Sequence, residues 1–500
     1  MLFFAGGPRF YLRQFSSLVA ELAARGHEVH VAFQPAKGDL DAPAAEPGVT
    51  HGLAPERAAG DGWRPVAWMV RALEDLARYA HPRYARAPLL RGRMEKKILG
   101  HLQKSRDFEP IGRSLALRVG RRLAAGPDAR LSERVIHVTS RLEDGIPTSP
   151  VIDAYIRERA PDVVLATPVV NRASTQVDLL KSARRLRIPA ATCVASWDNL
   201  TNKGLLKFTP ERVIVWNDVQ RREAVELHGI PPERVVTTGA QLFDSWFERR
   251  PSTPREEFVA RIGLDPARPY VLYTCSNPAM TELPERDFVL DWVRALRAST
   301  DPRLAGIGLA IRPHPNEAGE WAAVDLSGVE NVAIWPRAGA LPVTDEARAD
   351  FFDSLAHSAA VVGINTTAMI EAAIVGKSVL TVLSPEFAQE STLHFDYLLE
   401  ENGGFLHVAT SLDEHLAQLV GVLDEDAAGA ERRRRFVQSF VRPHGLDRPA
   451  TPIFADAVEE LATVEVQAMP RAPLRHALLA IEAALTARAL RRPRSGARAR

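Results

Sequence analysis

Cysteine is almost missing from this chain: Cys193 and Cys275 are the only two in 500 residues. Each lies in an apolar run, ATCVAS or YVLYTCS, so neither a disulfide framework nor a cysteine zinc site is indicated, and both thiols are expected to pack as small hydrophobes. Net charge is missing too. Lys and Arg number 63 against 62 Asp and Glu, a formal +1, which leaves no global attraction to nucleic acid and no nucleic-acid partner to expect. No apolar run reaches the roughly 18 residues of a membrane span, and LFFA at the start is too short for a signal peptide, so a cytoplasmic location is expected. The first βα turn, GGPRFYLRQF, has no G-x-G-x-x-G string, so a nicotinamide or flavin enzyme is not supported and no cofactor is expected.

What is present is alternation. MLFFAGGPRFYLRQFSSLVAELAARGHEVHVAFQ predicts strand, glycine turn, amphipathic helix through Phe15, Leu18, Val19 and Leu22, a stop at Gly26, and a second strand. Because that first strand begins at residue 2, it is expected to be short or to start slightly upstream. Residues 63–140 break the pattern with helices; from Arg64 to Arg122 there are fifteen Lys/Arg against five Asp/Glu. Two readings fit this basic insertion: Arg-rich solvated helix faces, or a face that meets an anionic or membrane-bound acceptor. Apolar strands then resume with PDVVLATP, PAATCVAS, ERVIVWN and RVVTTGA, as sheets covered on both sides require. FERRPSTPREEF (247–258) is the linker candidate, and a second βα series follows it. The expected fold is α/β: two Rossmann-like doubly wound domains, 1–246 and 247–465, facing a cleft, with a helical insertion in the first and a basic tail at 466–500.

Three segments carry candidate chemistry at the carboxyl ends of strands. VVGINTTAMIEAAIVGKSVLTVLS places Asn365, Thr366 and Thr367 between a strand and an Ala-rich helix, where backbone N–H groups and a helix dipole favour phosphate; Glu371, one turn on, is set to accept hydrogen bonds from sugar or ribose hydroxyls. An ordinary helix cap explains the same residues. IRPHPN presents Arg312 and His314 between stiffening prolines, and an arginine fork suits phosphate oxygens. Together they read as a phosphate or diphosphate cradle. ASWDNLTNKG offers Trp197, Asp198, Asn199 and Lys203: either an aromatic platform beside a general base for an acceptor hydroxyl, or an Asx turn plugged by the indole. Gly6, Gly7 and Arg9 at the first βα turn allow a close backbone approach to a ligand.

The RGHEV start, ERVIVWNDVQRREAVELHGIPPERVVTTGA, the IRPHP loop and GINTTAMIEAAIVGKSVL together resemble two-domain GT-B glycosyltransferases. More narrowly, they are similar to the bacterial surface-polysaccharide group that includes CDP-glycerol glycerophosphotransferases and capsule transferases. The resemblance implies a nucleotide-activated sugar donor in the C-terminal domain, with phosphates held by Arg312, His314, Thr366 and Thr367, the donor sugar met by Glu371, and no active-site metal. NTT in place of the group's DYSS-like string points away from a glycerol-phosphate donor and toward a sugar nucleotide. Asp198 is the expected base toward a cell-surface glycan or lipid-linked acceptor, and His314 is the other catalytic candidate. A sugar-nucleotide 2-epimerase and a non-catalytic sugar-nucleotide binder are the alternatives.

From Arg471 to Arg500 there are eight Arg and one acid, Glu482, behind a stripe of Leu474, Leu478, Ile481 and Leu485. Such a helix fits an anionic membrane surface at the inner face, or packs on its own domain and ends in a basic extension.

Overall fold

The computed structural model describes residues 1–34, 43, 46–104, 108, 110–278, 284–384, 387, 389, 392–424 and 427–486. Two compact units emerge, Met1–Thr238 with Pro452–Arg500, and Gly239–Thr451.

In the first unit a seven-stranded parallel sheet runs in the order β3-β2-β1-β4-β5-β6-β7. Its strands are β1 (Leu2–Ala5), β2 (Val29–Phe33), β3 (Val49–Leu53), β4 (Val164–Ala166), β5 (Ala190–Cys193), β6 (Arg212–Val215) and β7 (Val235–Thr237). The inner strands β1, β4 and β5 are buried along their whole length because both faces are covered, whereas the edge strand β3, VTHGL, is largely exposed. Leu2 and Phe4 pack with Ile152, Val177 and Leu180 on one side. Phe3 and Ala5 pack with Phe15, Leu18, Phe454 and Leu461 on the other. Gly26 ends the first helical run in the left-handed region at φ +91°, as its position predicts.

The second unit repeats the plan with six parallel strands, ordered β10-β9-β8-β11-β12-β13. They are β8 (Tyr270–Thr274), β9 (Gly308–Arg312), β10 (Val332–Ile334), β11 (Ala360–Gly363), β12 (Val379–Val382) and β13 (His407–Ala409). Val271, Tyr273, Leu309 and Ile311 share a core with Trp292 and Trp321. Both sheets are doubly wound, as expected.

The division differs from the expected boundaries in two ways. FERRPSTPREEF does not join the units; it lies inside the second, where the Asp353 carboxylate accepts from the Ser252 N–H at 2.9 Å, the Ser252 hydroxyl at 2.8 Å and the Thr253 N–H at 3.0 Å. The chain also returns to the first unit at Pro452, because Phe454, Ala455, Val458 and Leu461 belong to that unit's core.

Between β3 and β4 stand the helices Trp63–Ala80, Pro88–Lys104, Pro110–Ala124, Ala129–Gly145 and Pro150–Arg159. Part of the insertion's positive charge is internal. Arg71, 1 % exposed, donates to both oxygens of Glu143 (2.9 and 2.8 Å) and to both of Asp178 (2.8 and 2.9 Å). Arg57 adds a 2.8 Å bond to Asp178, and Lys181 lies 3.2 Å from Glu143. The helix Arg475–Thr486 packs on three of these helices, and Leu478 is fully buried there, 3.1 Å from where a Cβ on Gly145 would stand. That leaves Leu478 turned to protein rather than to a membrane; residues 487–500, the Arg-rich end, lie outside the described residues. No described helix is long and apolar enough to cross a membrane.

One buried acid in this bundle makes folding depend on pH. Burial pushes the Glu74 carboxyl up to about 8, with Asp75 and Glu143 adding to the shift and Lys207 and Arg71 opposing it. The folded chain therefore keeps a proton that the unfolded chain releases from about pH 4.5 upward, and stability falls as pH rises through that window. Glu74→Gln is expected to change stability little at pH 5 and to raise it at pH 9 by ~4 kcal/mol more than at pH 5, measured by urea unfolding at both pH values.

Candidate active site

In the second unit the strand order reverses between β8 and β11, and ligands of such sheets bind beyond the carboxyl ends at that point. Thr274, Arg312 and Gly363 end β8, β9 and β11 in one register row. The Ser276 hydroxyl accepts from the Asn365 N–H at 3.0 Å and so ties the loop after β8 to the loop after β11. Glu285 fixes Ser276 in turn, accepting from its N–H at 2.6 Å and from the Tyr273 hydroxyl at 2.9 Å. Gly363 is needed here, since a Cβ would lie 3.0 Å from the Thr274 hydroxyl and 3.3 Å from its carbonyl oxygen.

Arg312 is the charged centre of this end of the sheet. It is 6 % exposed, bonds Asp350 at 3.1 Å through Nη1 and lies over the Phe351 ring at 4.8 Å from the ring centre. Its Nη2 has no hydrogen-bond partner among the described residues. Burial holds the guanidinium below the usual arginine range, against the opposing pull of Asp350 and Glu371. A buried guanidinium with one arm of its fork unengaged among the described residues has N–H groups that can donate to an oxyanion.

The other expected residues fall around it unevenly. Thr366 and Thr367 are half-buried at the turn, and Thr367 precedes the helix Ala368–Ile374 without a side-chain cap. That helix has seven residues, so its dipole is small. Asn365 is 7 % exposed and does not offer a free N–H as expected: its N–H goes to Ser276 and its side-chain amide donates to Thr392 at 3.0 Å. Glu371, 4 % exposed, lies within the field of Arg312. His314 is half-buried on the loop after β9, with Nδ1 accepting from the Asn316 N–H at 3.2 Å.

In the first unit, Asp198 follows β5 and starts the short helix Asn199–Asn202. Its carboxylate accepts from the Asn199 amide at 3.2 Å and stands 3.6 Å from the Lys203 ammonium. Trp197 is 3 % exposed, so its indole packs as a plug and is not displayed as a platform. Asn199 is equally internal, accepting from the Ala195 N–H at 3.2 Å. Gly6 and Gly7 are half-buried before the helix Pro8–Gln14, with Arg9 exposed. Among the described residues no group of three or more His, Cys, Asp and Glu is placed to hold a metal ion.

Sequence reasoning misses Ser276, Glu285 and Asp350. Their signal is faint: Ser276 follows the strand YVLYT directly, where a doubly wound sheet keeps its ligand loops.

No family model matches the chain, and no curated protein matches it. Among solved structures it is similar to a UDP-GlcNAc 2-epimerase from Methanocaldococcus jannaschii, at 11 % identity over 92 % of this chain and 99 % of that one, with a TM-score of 0.50. It is also similar to a UDP-GlcNAc 2-epimerase from Neisseria meningitidis bound to UDP-GlcNAc (12 %, 92 % and 99 %, 0.46) and to the glycotransferase of kitacinnamycin (16 %, 92 % and 98 %, 0.49). The fold is a GT-B-like α/β fold with two parallel sheets.

Ser276→Ala leaves the Asn365 N–H buried without an acceptor and is expected to cost about 1–3 kcal/mol in the urea midpoint. Retention of the wild-type midpoint would contradict the role given to that bond.

Proposed function

We propose that this chain is a nucleotide-sugar transferase that binds its donor diphosphate in the second unit and passes the sugar to an acceptor hydroxyl. The observation that carries this reading is Arg312, buried at the carboxyl end of β9 next to the β8/β11 reversal, with Nη2 unengaged. A diphosphate at that point takes bonds from Arg312 and meets the hydroxyls of Thr366 and Thr367, while His314 lies on the same loop as Arg312. Glu371 is the group assigned to the donor sugar.

In the transfer, the acceptor oxygen forms a bond to the anomeric carbon, the bond from that carbon to the phosphate oxygen breaks, and the nucleoside diphosphate leaves with the electron pair. Asp198, on the first unit, is the group assigned to take the acceptor proton. Arg312 acts on the charge that grows on the leaving diphosphate. The acceptor class in this reading is a cell-surface glycan or a lipid-linked sugar.

A second reading is an isomerase. It is favoured by the likeness to the Methanocaldococcus jannaschii UDP-GlcNAc 2-epimerase. The two readings separate in one assay, because an epimerase needs no acceptor. Proton NMR of the chain with UDP-GlcNAc and other UDP-, GDP- and CDP-sugars is expected to show one donor consumed, with free nucleotide appearing faster when a glycan acceptor is added. Formation of a C2 epimer without acceptor would replace the transferase reading by the isomerase, and no consumption of any donor under either condition would leave a binder without turnover. In the productive case Asp198→Asn is expected to lower kcat at least 100-fold with KM for the donor little changed.

A further inference from the structure

We propose that the second unit holds a further binding site, a cavity of about 540 Å³ walled in part by Arg433 and Arg442, that takes a small organic anion with an apolar body. None of the residues assigned to the Arg312 site lines it, and the inference does not rest on the transferase reading.

All of the lining residues lie within the second unit. One wall comes from the helix Ala427–Phe436, which does not end as an ordinary helix. The Arg442 N–H bonds the Val437 carbonyl, five residues back, at 3.0 Å, so Val437–Val441 is a π turn, a rare geometry that recurs at functional sites. That turn delivers Arg442 onto Phe247 of the helix Asp244–Glu248, with the guanidinium carbon 3.6 Å from the ring centre. Asp244 accepts from Nε and Nη2 of the arginine at 3.2 and 2.9 Å, and Nη1 donates to the Leu446 carbonyl at 2.6 Å. Arg442 is thus fixed in place before any ligand arrives. Ala373 and Ile374 add to the lining from the end of the helix Ala368–Ile374 that lies away from Thr366 and Thr367.

The chemistry of the lining selects the ligand class. Arg433 and Arg442 are 6 % and 5 % exposed, so the buried part of the wall carries two guanidinium groups. The charge of Arg442 is answered by Asp244, whereas Arg433 donates through Nη1 to the neutral Ser378 hydroxyl at 2.8 Å. Burial and then the field of Arg433 hold the ammonium of Lys377, next to Ser378 in the chain, below the usual lysine range. The carboxylates that line the cavity, Glu248 and Asp447, are both exposed and screened by water, and the exposed Arg434 lines it too. Phe247, Ile374, Val437 and Leu446 supply apolar surface. The volume falls within the roughly 300–1,000 Å³ of small-molecule sites, which pair mostly apolar walls with a few placed polar groups. A planar guanidinium fork suits a carboxylate, sulfonate or phosphate, and a bare inorganic ion would leave the apolar walls uncovered, so the charge belongs on an apolar body.

The test is fluorescence titration of anilinonaphthalene sulfonate, an anion on an apolar body, and of its uncharged counterpart phenylnaphthylamine, into the full chain and two variants. Ala430→Phe fills the cavity from an exposed helix position, and Arg433→Met removes a buried charge. The sulfonate is expected to bind the full chain at least tenfold more tightly than the uncharged dye, and each variant is expected to weaken the sulfonate at least tenfold. Arg433→Met is expected to leave the uncharged dye unaffected. Urea midpoints confirm that the variants fold; where Arg433→Met does not, the exposed Arg434→Gln carries the charge test and is expected to weaken the sulfonate and not the uncharged dye. Sulfonate affinity that Ala430→Phe leaves unchanged overturns the site, and equal affinity of the full chain for the two dyes overturns its preference for an anion.

Discussion

A single buried carboxylate, Asp75, governs the loops after β4 and β5 in the first unit. It has no exposed surface, and its charge is answered by Lys207, equally buried, at 2.6 Å. Taking two ions out of water is costly, and the cost is recovered only if every remaining lone pair is engaged. Here the N–H groups of Ala173 and Leu205 complete the set, so the ion pair and two loop conformations are one cooperative arrangement. Removing one partner strands the other charge, which typically costs about 3–5 kcal/mol and releases both loops. The loop that bears Asp198 and Lys203 owes its position to this arrangement.

The second unit solves the same problem with fewer charges. Glu285 takes the Ser276 N–H and the Tyr273 hydroxyl, Ser276 takes the Asn365 N–H, and Asn365 reaches Thr392. This chain of bonds spans the reversal between β8 and β11 and sets the floor of the site. Arg312 is then placed with one arm on Asp350 and the other unengaged. Both units fix their loops from behind and leave cations at the carboxyl ends of the strands.

Much of this was legible in the sequence, for physical reasons. Strands covered on both faces tolerate little but apolar residues, so runs such as VLYT and AAVVG mark themselves, and Gly26 marks a helix end because its left-handed backbone favours glycine. The buried ion network was not legible. Arg71, Asp75 and Arg78 recur at i, i+4 and i+7, which by spacing alone reads as a solvated face. Their partners, Glu143, Asp178 and Lys207, lie about seventy to one hundred and thirty residues away. FERRPSTPREEF has the composition of a linker, yet Asp353, a hundred residues on, docks it within the second unit. Of the candidate site, Arg312 was readable as a charge at a strand end, and Trp197 was readable as an aromatic but not as a buried one.

The central claim is that the second unit binds a nucleoside diphosphate through Arg312. Equilibrium dialysis of radiolabelled UDP, GDP, CDP and ADP against the wild type and Arg312→Met tests it most directly. The account predicts that one of these nucleotides binds at a single site and that Arg312→Met weakens it by at least tenfold, about 1.4 kcal/mol. Equal affinity in the two proteins, or no binding of any nucleotide to the wild type, would contradict it.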